Sequence, residues 1–267
     1  MGLMRFSLEQ NAADSLRRSV VYFAENSSSR LKAAVKELVS ALELYVKVQL
    51  VSLDLDPVNP VLVYEYFKVS LADAPKRYEL VPIGVNTVRL PQALERLAWL
   101  GHEIAPADST QIRELERVRN ALEHSLVELE APAVRSLYVA VVGFAIRYLH
   151  VYLGLSFIDI IDSAAWHRSL EIEPALRRVA ERSAKKIYED LIAASERAGG
   201  ASFCAKCGAA LIIAPEGNWS GYRCVVCGFV HNVEECYACK RMFYMDMMHS
   251  WEGDTALCDA CYAQIFY

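Results

Sequence analysis

The chain has 267 residues, 54% of them hydrophobic and 23% charged, which excludes a disordered protein and allows one sizeable core plus a smaller appendage. A formal net charge of −5 and an isoelectric point near 5.7 exclude a protein drawn to nucleic acid by its overall field, so any RNA contact needs a local basic cleft. All eight cysteines lie after residue 203, and in a reducing compartment that clustering points to metal rather than disulfides.

The opening MGLMRFSLEQ has no apolar run of a signal peptide and no Ser or Thr at position 6 for myristoylation, so a soluble, cytoplasmic protein is expected. Leu8 to Ala24 is predicted as an amphipathic helix through Leu16, Val20, Val21 and Phe23. ENSSS then offers N-cap residues for a long helix from Arg30 to Leu53, ended by DLDPVNP. Residues 61–88 are ambiguous: VLVYEYFKVS suits a strand or a short helix, and PKRYELVPIGVNTVRL suits a loop with extended pieces. PQALERLAWLG predicts a short helix with Pro at its start and Gly at its end. The next helix covers PADSTQIRELERVRNALEHSLVEL, with Ser109 or Thr110 as N-cap. Pro132 begins a helix to about Leu153. Its uncharged run from Ser136 to Ile146 is too short to span a bilayer, so a buried helix and no membrane partner are expected. Two more helices are predicted over roughly 157–170 and 172–198, followed by the linker RAGGAS. The fold class expected is mainly α, a helical bundle followed by a small β-rich region. The predicted domains are a bundle over 1–155, additional helices and linker over 156–200, and two zinc-ribbon modules over 201–267.

The cysteines form four CxxC pairs: Cys204 and Cys207, Cys224 and Cys227, Cys236 and Cys239, Cys258 and Cys261. Each pair can place two thiolates on one ion, and two pairs close a tetrahedral four-sulfur site. Eight thiolates therefore supply two closed structural sites, for zinc or, since four sulfurs also suit it, iron. The 16- and 18-residue spacers inside the first and second halves match, which favours sequential pairing as in tandem zinc ribbons over a cross-brace. His231 and His249 are left over as surface or packing residues. From 201 to 267 there are four basic and seven acidic residues, a poor phosphate binder. The same segment is rich in aromatics and Met (KRMFYMDMMHSW, YAQIFY), which favours self-packing or docking of a protein partner over reading RNA.

Within RVRNALEHSL, Arg119 and His124 sit about 140° apart on a helix, whereas Asn120 and His124 share a face. Spacing alone suggests a solvated helix with Arg119 held by Glu116 and Glu123. However, RELERVRNALEHSL resembles the signature of the HEPN family (higher eukaryotes and prokaryotes nucleotide-binding domains): an Arg, four to six residues, then a His, often with a polar residue after the Arg. The upstream SLRRSVVYFAENSSSRLKAAVKELVSALELYVKVQL is similar to the family's first two helices, including Glu43 and Lys47, so the resemblance covers about residues 8–155.

The resemblance implies a bundle that dimerises with its motif helices facing each other. It also implies a metal-independent endoribonuclease, often a toxin or defence effector, with Arg119, Asn120 and His124 as catalytic residues. Other members only bind RNA or nucleotides or act as scaffolds, which here would leave the zinc ribbons to recruit a protein partner or antitoxin. In the nuclease reading the 2′-OH attacks the adjacent phosphate and leaves 2′,3′-cyclic ends. His124 moves protons, Arg119 stabilises the phosphate charge, and Asn120 orients His124 or binds ribose or phosphate. Two symmetry-related histidines in one cleft would supply both acid and base. Glu43 is expected either to orient Arg119 or to pair with Lys47. The basic residues Arg177, Arg178, Arg182, Lys185 and Lys186 are read as a solvated helix face, and His102, His150 and His167 as structural. A zinc-ribbon DNA-binding regulator fits the acidic ribbons badly.

Overall fold

The computed structural model describes residues 7–54, 60–72, 77–124 and 129–194, together with 204, 206–207, 212–213, 221–224, 226–240, 242–244, 248–250 and 255–266. The chain divides into two compact units, Met1–Val179 and Ala180–Tyr267. The fold is mainly α with a small β region carrying two clusters of four cysteines.

In the first unit, α1 (Leu8–Ala24) opens with a capping box: Ser7 Oγ accepts from the Gln10 N–H, and Gln10 Oε1 accepts from the Ser7 N–H. Asn26, at φ 54°, turns the chain into α2 (Ser28–Ser52), whose N-cap is Ser27. The two helices pack through Leu16, Val20 and Phe23 on one side and Leu31, Val35, Leu38 and Leu42 on the other, all buried. Burying each such side chain contributes roughly 1.5–3 kcal/mol.

Against this pair lies α5 (Ala131–Leu153), with Tyr138, Val142, Phe144 and Leu149 buried. Its polar groups inside the core are matched. Ser19 Oγ donates to the Ala34 carbonyl at 2.8 Å and shares a 2.9 Å hydrogen bond with the Tyr138 hydroxyl. The Tyr148 hydroxyl donates to Gln49 Oε1. By length and composition α5 could cross a membrane; here 56% of its apolar window is buried against the rest of the protein. Gly154, left-handed at φ 63°, ends α5 and sends the Leu155 N–H back to the Leu149 carbonyl.

Segment 61–88, which as sequence suits strand or helix, resolves into an antiparallel hairpin of β1 (Phe67–Ala72) and β2 (Arg77–Pro82), Phe67 opposite Pro82 and Ala72 opposite Arg77. Pairing continues outward through a Tyr64–Thr87 bridge. α3 (Leu90–Trp99) is tied to this hairpin by Arg96, whose guanidinium donates to the carbonyls of Leu62, Tyr64 and Glu65 at 2.6, 2.5 and 2.9 Å.

α4 (Pro106–His124) starts earlier than the expected Ser109 or Thr110 cap. Proline sits at the first helical position, where a missing N–H costs nothing, and Thr110 instead turns its hydroxyl onto the Pro106 carbonyl at 2.8 Å. Arg147 of α5 donates to both oxygens of Asp108 at 2.8 and 3.0 Å, fastening the start of α4. The predicted pair over 157–198 is three pieces. α6 (Phe157–Ile160) and α7 (Ser163–Ile172, capped by Asp162) bring Trp166 edge-on to Phe157, both buried. α8 (Pro174–Ala194) contains the boundary between the units. It buries Leu176, Ala180, Ala184 and Ile187 and exposes Arg178, Arg182, Lys185 and Lys186, a solvated basic face.

The second unit holds a sheet in the order β3 (Ile212–Ile213), β4 (Gly221–Cys224), β5 (Val230–Glu235), β6 (Met242–Tyr244). A separate hairpin of β7 (Met248–Ser250) and β8 (Ala256–Cys258) leads into α9 (Asp259–Phe266). The first half of β5 pairs with β4 and its second half with β6.

Candidate functional site

The Arg119–His124 stretch forms the last turns of α4. Arg119 Nη1 donates to Asn120 Oδ1 at 3.2 Å. Arg119 Nε lies 3.3 Å from Glu123 Oε2, an ion pair too poorly aligned for a hydrogen bond, so this buried N–H has no hydrogen-bond partner among the described residues. Glu123 also reaches Lys36 of α2, 3.1 Å away. An Arg119–Glu123–Lys36 chain therefore links α4 to α2. The side chain of His124 lies outside the described residues.

Glu43 forms an ion pair with Lys47 at 2.6 Å, the second of the two expected roles. Lys47, 5% exposed, also donates from its ammonium to Thr87 Oγ1 at 3.0 Å, so α2 is joined to the segment that flanks the hairpin. The Glu43 charge is felt instead at Glu116, one turn before Asn120. Burial first, and then Glu43, push the Glu116 carboxyl above its usual range, with Arg119 and Arg89 pulling it back.

Glu116 and Asn120 line one wall of a polar groove of about 560 Å³. The groove is also lined by Glu65, Asn86 and Thr87 beside the hairpin, and by Arg89, Pro91 and Gln92 at the start of α3. The volume is that of a small-molecule site. Of the expected catalytic residues, Asn120 alone reaches it among those whose side chains are described. Of its other lining residues, Glu116 was read from sequence only as a partner of Arg119, and Glu65, Asn86, Thr87 and Arg89 lie in the stretch without helical or strand periodicity.

The second unit brings the eight cysteines into two groups. Cys204, Cys207, Cys224 and Cys227 form one, and Cys236, Cys239, Cys258 and Cys261 the other, with the sulfurs of each within 4.8 Å of one another. The grouping is sequential, not cross-braced. A tetrahedral ion with bonds to sulfur of about 2.3 Å sets its ligands about 3.8 Å apart. The sulfurs of Cys204 and Cys227 are 3.6 Å apart, those of Cys207 and Cys224 3.7 Å, and those of Cys239 and Cys258 4.0 Å. Both donor sets thus fit a metal ion.

Local backbone explains how the pairs converge. The N–H of Gly228 donates to the Cys224 carbonyl at 2.7 Å, and that of Lys240 to the Cys236 carbonyl at 2.9 Å. Each closes a tight turn with a left-handed residue, Gly228 at φ 75° and Lys240 at φ 58°. The last pair is different: Cys258 ends β8 and Cys261 lies in the first turn of α9, so this module is part helical rather than two matching knuckles.

Sulfur crowding also sets the acidities. Contact with Cys207 is the main cause pushing the Cys227 thiol up to about 12, and contact with Cys258 does the same for Cys261, also to about 12. Burial opposes the Cys236 thiolate, yet the backbone N–H groups of Cys239, Cys258 and Ala238 outweigh it and hold the thiol at about 6. A cation held in each cage would let four thiolates ionise together, which no neutral packing of thiols allows.

Against family models, curated proteins and solved structures, the chain finds no match.

His249 is not a ligand in either group. It pairs with Asp259 at 2.7 Å and stacks on the Tyr262 ring, a packing role for one of the two leftover histidines.

Proposed function

We propose that the chain is a metal-independent endoribonuclease of the HEPN type, working as a cytoplasmic homodimer, with two structural zinc ions in its C-terminal unit. The observation that carries this reading is the Arg119–Asn120 hydrogen bond at the edge of the polar groove, one turn before His124 on the same helix. In the reaction the 2′-oxygen forms a bond to phosphorus and the 5′-oxygen leaves. His124 takes the 2′-OH proton, and its counterpart in the second copy gives one to the 5′-oxygen. Arg119 stabilises the charge that grows on the phosphate, and zinc takes no part in the chemistry. Toxin or defence activity is the setting proposed for such an enzyme. Four-thiolate cages suit zinc as a closed structural ion, and the acidic, aromatic-rich ribbons suit docking of a protein partner or antitoxin.

The test is cleavage of a labelled transfer-RNA pool, without added divalent ion, by wild type and by His124→Ala. Cutting by wild type alone, leaving 2′,3′-cyclic phosphates, is the expected result; equal cutting by both proteins sinks the assignment. A second reading, a non-catalytic RNA-binding or scaffold protein, is favoured by the Arg119–Glu123–Lys36 chain, which commits the guanidinium to a carboxylate. It predicts an inert wild type that still forms dimers.

A further inference from the structure

We infer that the groove between α4 and the hairpin is a pocket for a guanine base. Its free hydrogen-bonding groups can be counted from the contacts already made. Gln92 Oε1 accepts from the Arg89 N–H at 3.1 Å, which leaves its amide nitrogen as a donor. Asn120 Oδ1 accepts from Arg119, which again leaves the amide nitrogen. Thr87 Oγ1 accepts from Lys47 and keeps its own O–H to give. With the Arg89 guanidinium, the groove therefore offers several donors. Against them stand the carboxylates of Glu65 and Glu116.

Two carboxylates against one guanidinium disfavour a bare phosphate. A rigid ligand with neighbouring donors on one edge and neighbouring acceptors on another suits the groove. Guanine has that pattern: its N1–H and amino group can meet one carboxylate side by side, while O6 and N7 accept from Arg or amide donors. Adenine and cytosine present a ring acceptor beside their amino group, and uracil a single N–H between two carbonyls, so each sets an acceptor against the carboxylate. The wall carrying Glu65 is pre-built. The Glu65 carbonyl accepts from Arg96, and the Glu65 N–H donates to the Asn86 carbonyl at 2.8 Å.

Guanine can arrive as a free nucleotide or within an RNA strand. As a selector of the cleavage position the pocket rests on the nuclease reading. Asn120 lies about 6 Å before His124 along the helix axis, roughly the step of one nucleotide. As a guanine site it stands without that reading.

The experiment is calorimetric titration of the metal-loaded full chain with GMP, IMP and AMP, and with single-stranded oligouridylate with and without one guanosine. GMP should bind at least tenfold more tightly than IMP, which lacks the amino group, and than AMP. Glu116→Gln should weaken GMP at least tenfold with the helical signal unchanged. Should that variant misfold, Gln92→Ala, at an exposed position, should weaken GMP several-fold instead. Equal binding of GMP and AMP, no binding of GMP, or wild-type affinity in a folded variant overturns the pocket. Selective GMP binding by a protein that cuts no RNA keeps the pocket and removes the nuclease. RNA cutting at positions that Glu116→Gln leaves unchanged keeps the nuclease and removes the pocket as the selector of its cleavage position.

Discussion

In the helical unit, water is excluded by Trp166, Tyr45, Tyr138, Tyr148, Phe23 and a body of Leu and Val. After residue 203, five of the eight buried apolar residues among those described are cysteines, joined by Val226, Ala256 and Leu257. One unit is held by apolar area, the other gathers its sulfurs into two cages that could each hold a metal ion. The first should respond to loss of methylene groups, the second to loss of a cation, and each should be indifferent to the other's perturbation.

The largest expected effect is on the sulfur side. Chelation, or Cys258→Ser, should unfold the C-terminal unit outright, read as loss of bound metal and of protease resistance after residue 200. The circular dichroism of the helices should persist. Loss of the helical signal on chelation would break the comparison. The complementary change, Trp166→Ala, should cost about 3–5 kcal/mol in denaturant unfolding through cavity formation and leave metal content unchanged.

A smaller effect is expected at Arg96. Removing it leaves the carbonyls of Leu62, Tyr64 and Glu65 without its donors, at about 1–3 kcal/mol. Faster amide exchange in β1 and β2, with α1 and α2 unaltered, would locate the loss in the hairpin.

The smallest is a matter of pH. The Glu116 carboxyl is raised above 4.5, so the folded chain holds this proton more tightly than the unfolded chain. Its contribution is fully present below the unfolded value and is lost as pH rises through the folded one. Glu116→Gln should flatten that part of the stability curve. A curve of unchanged slope would mean that burial and Glu43 do not act on this carboxyl.

Helix existence was legible because apolar periodicity and caps are local: Ser27 of ENSSS is used as expected, whereas the caps Ser7 and Gly154 emerge only in the structure. Sequential pairing of the cysteines was legible from matched spacers. Placement of the hairpin was not, because a two-stranded ribbon beside α3 takes its stability from contacts such as Arg96 that lie about 30 residues along the chain. The groove went unread for the same reason: Glu65 and Asn86 become neighbours of Glu116 only through that hairpin. The ion partner of Arg119 was legible as an i,i+4 pair with Glu123; the contribution of Lys36 from another helix was not.

β5 belongs to both cysteine modules, since Val230–Asn232 pair with β4 and Val233–Glu235 with β6. Metal binding at one cage would therefore order a strand that the other cage also needs, so the two occupancies should be thermodynamically linked. Chains carrying a single ion should be scarce, and native mass spectrometry during metal titration should find mainly empty and doubly loaded species. Such a unit behaves less as two sensors than as one threshold: it is present or absent as a whole over a narrow span of free metal.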